Sequence, residues 1–369
     1  MELDISDQAY GSLTQQLQGL HERVREIAPA IERIACALYD TADDMLKTFI
    51  NSTHNGIALR GYQYRLGDSE SLSYLARTKE MRLLTDIQNQ LKPTTAHSAY
   101  VLQEGFQSSY TIPLHHQGAF LAFMFFDSRE KDTFSEPVRR ELQIYGQILA
   151  MAIANELLAV RSILSTVMLA REFASFRDAE TGAHLERIPR YARLIVRGLA
   201  ATHEIADEFA EAIFLYAPLH DIGKIAIPDS ILLKPGRLDA DEWEIMKTHT
   251  TKGREMIDTI ISDLGIDSLP NDTILRNIVE LHHEAINGSG YPHGLSGDDI
   301  PLEARIVAVA DVYDALTAVR PYKRASTPQE AMAELVRMVD MGKLDPECVT
   351  ALRRGFEESE AIRTRYPDD

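Results

Sequence analysis

The sequence predicts an α+β domain built on an antiparallel sheet, joined by one long helix to an all-α domain. At 369 residues the chain exceeds the usual size of a single domain. Residues from about 20 to 140 mix helix and strand signals, an apolar helix follows over about 142–176, and the remainder is helical with one Gly-rich interruption. We therefore place an N-terminal domain over 1–155, a connecting helix over 142–176 and a helical domain over 165–369.

In the first domain Tyr62, Tyr64 and Leu66 alternate with polar neighbours, as a half-buried strand requires. Ser109-Tyr-Thr-Ile-Pro-Leu114 runs through His115-His-Gln-Gly118 into Ala119-Phe-Leu-Ala-Phe-Met-Phe-Phe126, which reads as a hairpin in the centre of a sheet. His115 and His116 are expected as exposed hairpin residues, because no further ligand-type spacing surrounds them. Phe134-Ser-Glu-Pro137 reads as a helix start, with Ser135 as cap and Pro137 in the first turn. The connecting helix carries Ala150, Ile153, Leu157, Val160, Leu164 and Val167 at alternating steps of three and four. That seam suits a parallel two-stranded coiled coil, and equally a helix packed on its own domain. If it pairs, the protein is a homodimer and the helix can pass a signal along the chain.

Composition narrows the function. Apolar residues make up 45% and charged residues 25%, which suits a globular protein with a real core. The longest apolar run, Ala119 to Phe126, is too short to span a bilayer. The opening Met1-Glu-Leu-Asp4 is acidic and does not resemble a secretory leader, so a cytoplasmic location is expected and no membrane partner. A formal charge of −18 repels polyanions, which argues against duplex nucleic acid. Two cysteines, Cys36 and Cys348, are too few and too far apart for a disulfide framework or a thiolate metal site.

The candidate chemistry begins near residue 178. Seven of the twelve histidines lie from residue 184 onward, and five of these sit beside carboxylates. Glu180 and His184 are four apart, hence on one face of a helix. A lone pair of this kind is usually a surface hydrogen bond. His220-Asp221 follows the apolar run Ala212–Ala217 and can offer a nitrogen and a bridging carboxylate to neighbouring ions, with Lys224 able to meet a phosphate. Asp239 and Glu242 form a capping box ahead of a helix whose inner face runs Ile245, Met246, His249, Gly253, Met256, Ile257. A histidine on an apolar face is more often a satisfied core residue, but this is the third in order. Leu281-His-His-Glu-Ala-Ile-Asn-Gly-Ser-Gly-Tyr-Pro-His-Gly294 can present two nitrogens, His282 and His283, to two ions. Its glycines allow close backbone approach, and Tyr291 offers a ring to stack on a base. Pro301–Asp314 is almost wholly apolar except for Asp311 and Asp314, and a carboxylate buried there must be paired, protonated or metal-bound. Arg320-Pro-Tyr-Lys323 supplies two cations for a phosphate or a guanine edge.

Two resemblances gather these observations. Residues 20–155, with "Ser-x-x-x-Pro-Leu", Gly, apolar strand, "Phe-Ser" and closing helix in order, resemble a GAF domain. Such domains bind varied small molecules or dimerise, which implies a sensor or dimerisation role with an unknown small ligand. Residues 165–360 resemble the HD-GYP domain of the HD phosphohydrolase superfamily. The marks are Glu180 and His184; His220-Asp221 with Lys224 and Pro228-Asp229; His249 with Gly253; His282-His283-Glu284 with Gly288-x-Gly290-Tyr291-Pro292; and Asp311, Asp314 and Arg320-Pro-Tyr-Lys323. One departure is Ala285, at a place often basic in relatives.

The HD-GYP resemblance implies a helical bundle that hydrolyses cyclic di-GMP to the linear dinucleotide pGpG and GMP. It implies the metal ligands Glu180, His184, His220, Asp221, His249, His282, His283 and Asp311, with Lys224, Tyr291, Arg320 and Lys323 holding substrate. Asp221, Lys224 and Asp311 would be the catalytic groups; whether Asp311 or Asp314 orients the attacking water stays open. Eight ligands exceed what one ion accepts, so two or three divalent ions are expected, the third going with Glu180. Nitrogen and oxygen ligation suits iron or manganese, with zinc, nickel or cobalt as substitutes; the resemblance favours iron. Three other readings stand beside this one: a di-iron oxygenase on the same framework, a hydrolase of another nucleotide, and a cyclic di-GMP-binding signalling module without turnover.

Overall fold

The structure, a computed structural model, describes residues 13–93, 95–174, 182–200, 202–263, 271–318 and 325–368, and within 159–174 it describes the side chain of Ser165 alone. The chain divides into two compact units, Met1–Leu158 with Ala206–Glu208, and Ala159–Ile205 with Phe209–Asp369.

The first unit opens with α1 (Leu13–Ile27), whose Leu13, Leu17 and Val24 recur at helical spacing and are buried. Six antiparallel strands follow: β1 (Ile31–Asp40), β2 (Met45–Thr53), β3 (Gln63–Arg65), β4 (Arg82–Leu84), β5 (Ser108–His116) and β6 (Ala119–Ser128). Their spatial order is β3-β2-β1-β6-β5-β4. Between β3 and β5 the chain forms α2 (Glu70–Thr78), the single turn α3 (Ile87–Gln90) and α4 (Ala96–Gln103). The expected central hairpin is β5–β6. Gln117 and Gly118 both have positive φ (49° and 88°), the two-residue turn whose twist matches its strands. The strand expected from Tyr62 is shorter than its alternation suggested, since Leu66 already enters a 3-10 turn.

Alternation gives the sheet two different faces. Ile34, Cys36, Leu38, Ile112, Leu114, Met124 and Phe126 pack against α1 and against α5 (Glu136–Ala174), which contributes Leu142, Leu149, Ala150 and Ile153. The opposite face carries Phe123 and Phe125, which pack with Leu46, Leu66 and Leu75. α5 starts where Phe134-Ser-Glu-Pro137 placed it. The a/d seam behaves as the packed alternative: Ala150 and Ile153 are buried on their own sheet and Leu157 packs beside them. The side chains of Val160, Leu164 and Val167 lie outside the described residues.

The second unit is helical throughout: α6 (Gly182–Leu199), α7 (Asp207–Tyr216), α8 (Asp229–Leu232), α9 (Ala240–Lys247), α10 (His249–Asp263), α11 (Asp272–Leu281), α12 (Leu302–Thr317), α13 (Pro328–Asp340), α14 (Pro346–Arg354) and α15 (Phe356–Arg365). Its core joins Ile188, Tyr191 and Ile195 of α6 to Ile306, Val309 and Tyr313 of α12 and to Cys348 and Leu352 of α14. Asp239 and Glu242 form the expected capping box. The helix expected after it is two helices broken at Thr248, and Ile245 is exposed instead of facing inward. Among the described residues no helix is long and apolar enough to cross a membrane.

Candidate metal centre

Five segments of the second unit deliver the candidate ligands. His184 lies in the first turn of α6. His220 and Asp221 stand between two 3-10 turns, Ala217–Leu219 and Ile222–Ala226, after α7. His249 opens α10, and His282-His283 close α11. Asp311 projects from α12. Close approach of these segments depends on Gly223, where a Cβ would stand 1.8 Å from the His249 carbonyl oxygen and 2.6 Å from the Gly253 nitrogen.

Two ligand groups form and share a carboxylate. Donor atoms of Asp221, His249, His282 and His283 lie within 4.8 Å of one another, as do those of His184, His220 and Asp221. Asp221 Oδ1 is 3.2 Å from His249 Nε2, and Asp221 Oδ2 is 3.2 Å from His220 Nε2. Asp311 stands just outside, with Oδ1 3.9 Å from His220 Nε2.

The second nitrogen of each ring explains why the first is presented. Nδ1 donates to the Ala217 carbonyl from His220 (2.8 Å), to Met246 from His249 (2.8 Å) and to Ile278 from His282 (2.9 Å). Carbonyls only accept, so these rings carry the proton on Nδ1 and point the Nε2 lone pair inward. His184 Nδ1 donates in the same way to Asp314 Oδ2 at 2.8 Å. His184 Nε2, His249 Nε2, His282 Nε2 and Asp221 Oδ1 are buried with no hydrogen-bond partner. Several such atoms aimed at one point are costly unless a cation collects them. The donor set therefore fits divalent metal, which Nε2 and carboxylate oxygen ligate well and which needs no thiolate.

Electrostatics agree. Burial opposes ionisation of Asp221, yet Lys224 and the imidazoles of His220 and His249 hold its carboxyl well below the usual range. Lys224 Nζ is 2.7 Å from Asp221 Oδ2. Burial and neighbouring rings lower His282 and lower His283 strongly, which keeps both neutral as ligands must be. Tyr291 lies with its ring 4.8 Å from that of His283. Burial, then Asp221, raises its phenol.

Some roles were not legible beforehand. Asp314 is 1% exposed, and its oxygens are taken by His184 and by Arg187 Nε at 2.5 Å and Nη2 at 3.0 Å. It bonds the outward Nδ1 of His184, whereas Asp311 approaches a candidate ligand nitrogen, His220 Nε2 at 3.9 Å. Glu284 accepts from the backbone N–H groups of His293, Gly294 and Leu295 (2.7, 3.1 and 3.0 Å), which anchors the Gly-Tyr-Pro loop. Trp243 and Lys247 on α9 flank Tyr291, the indole at 6.1 Å and the ammonium at 6.0 Å from its ring. The only available signal was a lone tryptophan in the acidic turn Asp241-Glu-Trp-Glu244. Glu180, Arg320 and Lys323 lie outside the described residues.

Residues 169–348 match the HD domain family. The response regulator RpfG of Xanthomonas campestris pv. campestris (strain 8004), named a cyclic di-GMP phosphodiesterase, is 46% identical over 204 residues, 55% of this chain and 50% of its own. A 3'3'-cGAMP-specific phosphodiesterase 2 of Vibrio cholerae is 39% identical over 63% of this chain and 43% of its own. A cyclic di-GMP phosphodiesterase of Thermotoga maritima is 40% identical over 53% and 50%. The chain thus spans about half the length, or less, of these relatives. Among solved structures, the GAF domain/HD domain protein of Geobacter sulfurreducens aligns with TM-score 0.34 and 13% identity, covering 40% of this chain and 96% of that one. A phycocyanobilin-bound GAF domain from a cyanobacterial phytochrome aligns with TM-score 0.33 and 19% identity, over 39% and 86%.

Over residues 169–348 the helical part of the chain therefore matches an HD domain, and the candidate ligand groups lie within that match. It is preceded by an α+β domain built on a six-stranded antiparallel sheet.

Proposed function

We propose that this chain is a metal-dependent phosphodiesterase that hydrolyses cyclic di-GMP to pGpG, to GMP, or to both. The observation that carries the reading is the paired ligand group: imidazole nitrogens from separate segments, those of His184, His249 and His282 buried without a hydrogen-bond partner, meeting around the shared carboxylate of Asp221. The activities for which the relatives are named support the substrate class, cyclic dinucleotides.

In this reading His184, His220 and Asp221 would hold one ion, and Asp221, His249, His282 and His283 would hold a second. Asp311 completes the first set, and Glu180 would bring a third ion. The oxygen and nitrogen donor set suits iron or manganese, and the HD-GYP resemblance favours iron. The ions supply Lewis acidity, which acidifies water and offsets charge on phosphoryl oxygens. The protein's own groups do the rest. Lys224 donates to a phosphate oxygen as charge builds there. Asp311 would accept the proton of the attacking water and return it to the departing ribose oxygen as the P–O ester bond breaks. Tyr291 packs a base edge, and Arg320 and Lys323 bind the other phosphate or a guanine edge.

Residues 165–369 form the catalytic domain and residues 1–155 a sensor or dimerisation domain, linked by the helix over 142–176. We take the protein to be a cytoplasmic homodimer that pairs through α5. Support comes from Ile144, Ile148, Met151 and Leu158, exposed apolar residues on α5.

Anaerobically purified protein should contain bound metal and convert cyclic di-GMP in a chromatographic product assay that also includes 3'3'-cGAMP. His220→Ala with Asp221→Ala should abolish both metal and turnover; hydrolysis surviving in that double variant would refute the assignment. Arg320→Ala should raise KM with metal content unchanged. Equal loss of metal would remove Arg320 from substrate binding.

A further inference from the structure

The face of the sheet turned away from α1 and α5 holds an unbalanced charge. Arg33 on β1 stands opposite Asp127 on β6 and pairs with its Oδ2, while Asp127 Oδ1 accepts from the Ser109 hydroxyl at 2.7 Å. Arg82 on β4 approaches the same row. Among the described residues its guanidinium is met only by hydroxyls, Ser71 Oγ at 3.0 Å and Thr111 Oγ1 at 3.4 Å. Nε of both arginines is buried without a partner. Two guanidiniums therefore share one carboxylate, and an excess positive charge faces a cavity.

That cavity, of about 140 Å³, is lined by Arg33, Arg82, Tyr62, Tyr64, His97 and Phe125. Its volume corresponds to about ten water-sized positions, the size of one ring with a carboxylate. The walls are flat: Tyr62 stacks on Tyr64 (16° between planes) and on His97 (24°). The His97 ring makes no hydrogen bond among the described residues, and burial with Arg33 and Arg82 nearby pushes it down to about 4, so it adds no charge at neutral pH. A planar monoanion would satisfy the fork, cancel the excess charge and fill the slot.

We propose that this cavity is a binding site for a small aromatic carboxylate, held by Arg82 and Arg33 between the Tyr62, His97 and Phe125 rings. Benzoate is the probe, with benzamide as its neutral isostere, titrated into the full-length protein by calorimetry and thermal unfolding. Benzoate should bind and raise the melting temperature, and benzamide should bind at least about tenfold more weakly. Arg82→Met should lose the benzoate response and, by removing an uncompensated cation, melt no lower than the parent without ligand. Equal binding of benzoate and benzamide, no benzoate binding at millimolar concentration, or binding that survives Arg82→Met would each overturn the proposal. The comparison of the two probes needs no variant.

A separate observation concerns the metal centre and rests on the phosphodiesterase reading. Trp243 is the only tryptophan and is 46% exposed, an unusual place for so large an apolar surface. Its ring meets Tyr291 edge-on at 83°, and Tyr291 in turn lies against His283. A row of rings thus leads from solvent to the ligand group. We infer that Trp243 is a stacking platform for one base of the cyclic dinucleotide. Substrate titration should quench the single indole emission. Trp243→Ala should raise KM about tenfold with kcat nearly kept, and Trp243→Phe should recover most of the loss. Wild-type turnover with an unchanged KM in Trp243→Ala would overturn this inference alone. A metal-loaded wild type that leaves both cyclic di-GMP and 3'3'-cGAMP intact would take the phosphodiesterase reading down with it.

Discussion

Asp314 and Arg187 illustrate how single residues hold the centre. The Arg187 guanidinium is 1% exposed and bonds Asp314, the Tyr366 carbonyl at 3.0 Å and Asp368 at 2.8 Å. Burial opposes the Asp314 charge, but His184 and Arg187 hold its carboxyl below the usual range. Asp314→Asn leaves a buried cation short of its carboxylate, so unfolding free energy should fall by about 3–5 kcal/mol in urea. His184 loses its orienting acceptor in the same variant, and metal affinity should drop about 10–100-fold in a chelator competition. Gly223→Ala should also empty the site, because the atoms its Cβ meets are backbone. A loss of at least about 1–3 kcal/mol with metal binding impaired is expected; a metal-replete, equally stable Gly223→Ala protein would contradict the packing argument. At this scale the sequence identified a buried carboxylate on α12 that had to be paired. It did not identify Arg187, which lies 127 positions away along the chain.

At the scale of elements, α5 carries two apolar stripes. Leu149, Ala150 and Ile153 face the sheet, and they overlap the heptad that the sequence offers for pairing. Ile144, Ile148, Met151, Asn155 and Leu158 run along the outside at steps of four, three, four and three. On the proposed homodimer that outer stripe would meet a second copy, and a polar residue within such a seam is a known register device. Ile148→Asp should convert a dimer to monomer in sedimentation while the fold stays intact, whereas Ile153→Asp should unfold the domain. The break at Thr248 is another element the periodicity concealed. No Gly or Pro marks it; instead Thr248 Oγ1 donates to the Ile245 carbonyl at 2.6 Å, and the next helix starts at His249.

Two compact units give the whole molecule two stability profiles. His97 in the first is held near 4 against an ordinary 6.5, so the unfolded chain takes up a proton in that window and the folded one does not. Stability of this unit should fall as pH drops from about 6.5 to 4, by at most about 1.4 kcal/mol per pH unit. His97→Asn should flatten that slope in chemical unfolding; an unchanged slope would show the ring to be protonated in the folded state. Metal removal should act on the second unit, lowering its melting transition while leaving the first where it was.

The sequence by itself determined the two-part architecture, the hairpin of β5 and β6, the capping boxes and the set of histidines and aspartates that could ligate metal. These are local matters of period, cap and turn residue, and a short window contains them. Only the tertiary structure decided which carboxylate the two candidate ligand groups share and which bonds the outer nitrogen of a ring, which stripe of α5 is spent on its own sheet, and that Arg82 meets no carboxylate among the described residues. Those outcomes depend on charges and surfaces that meet across long stretches of chain, where no spacing in the sequence records the contact.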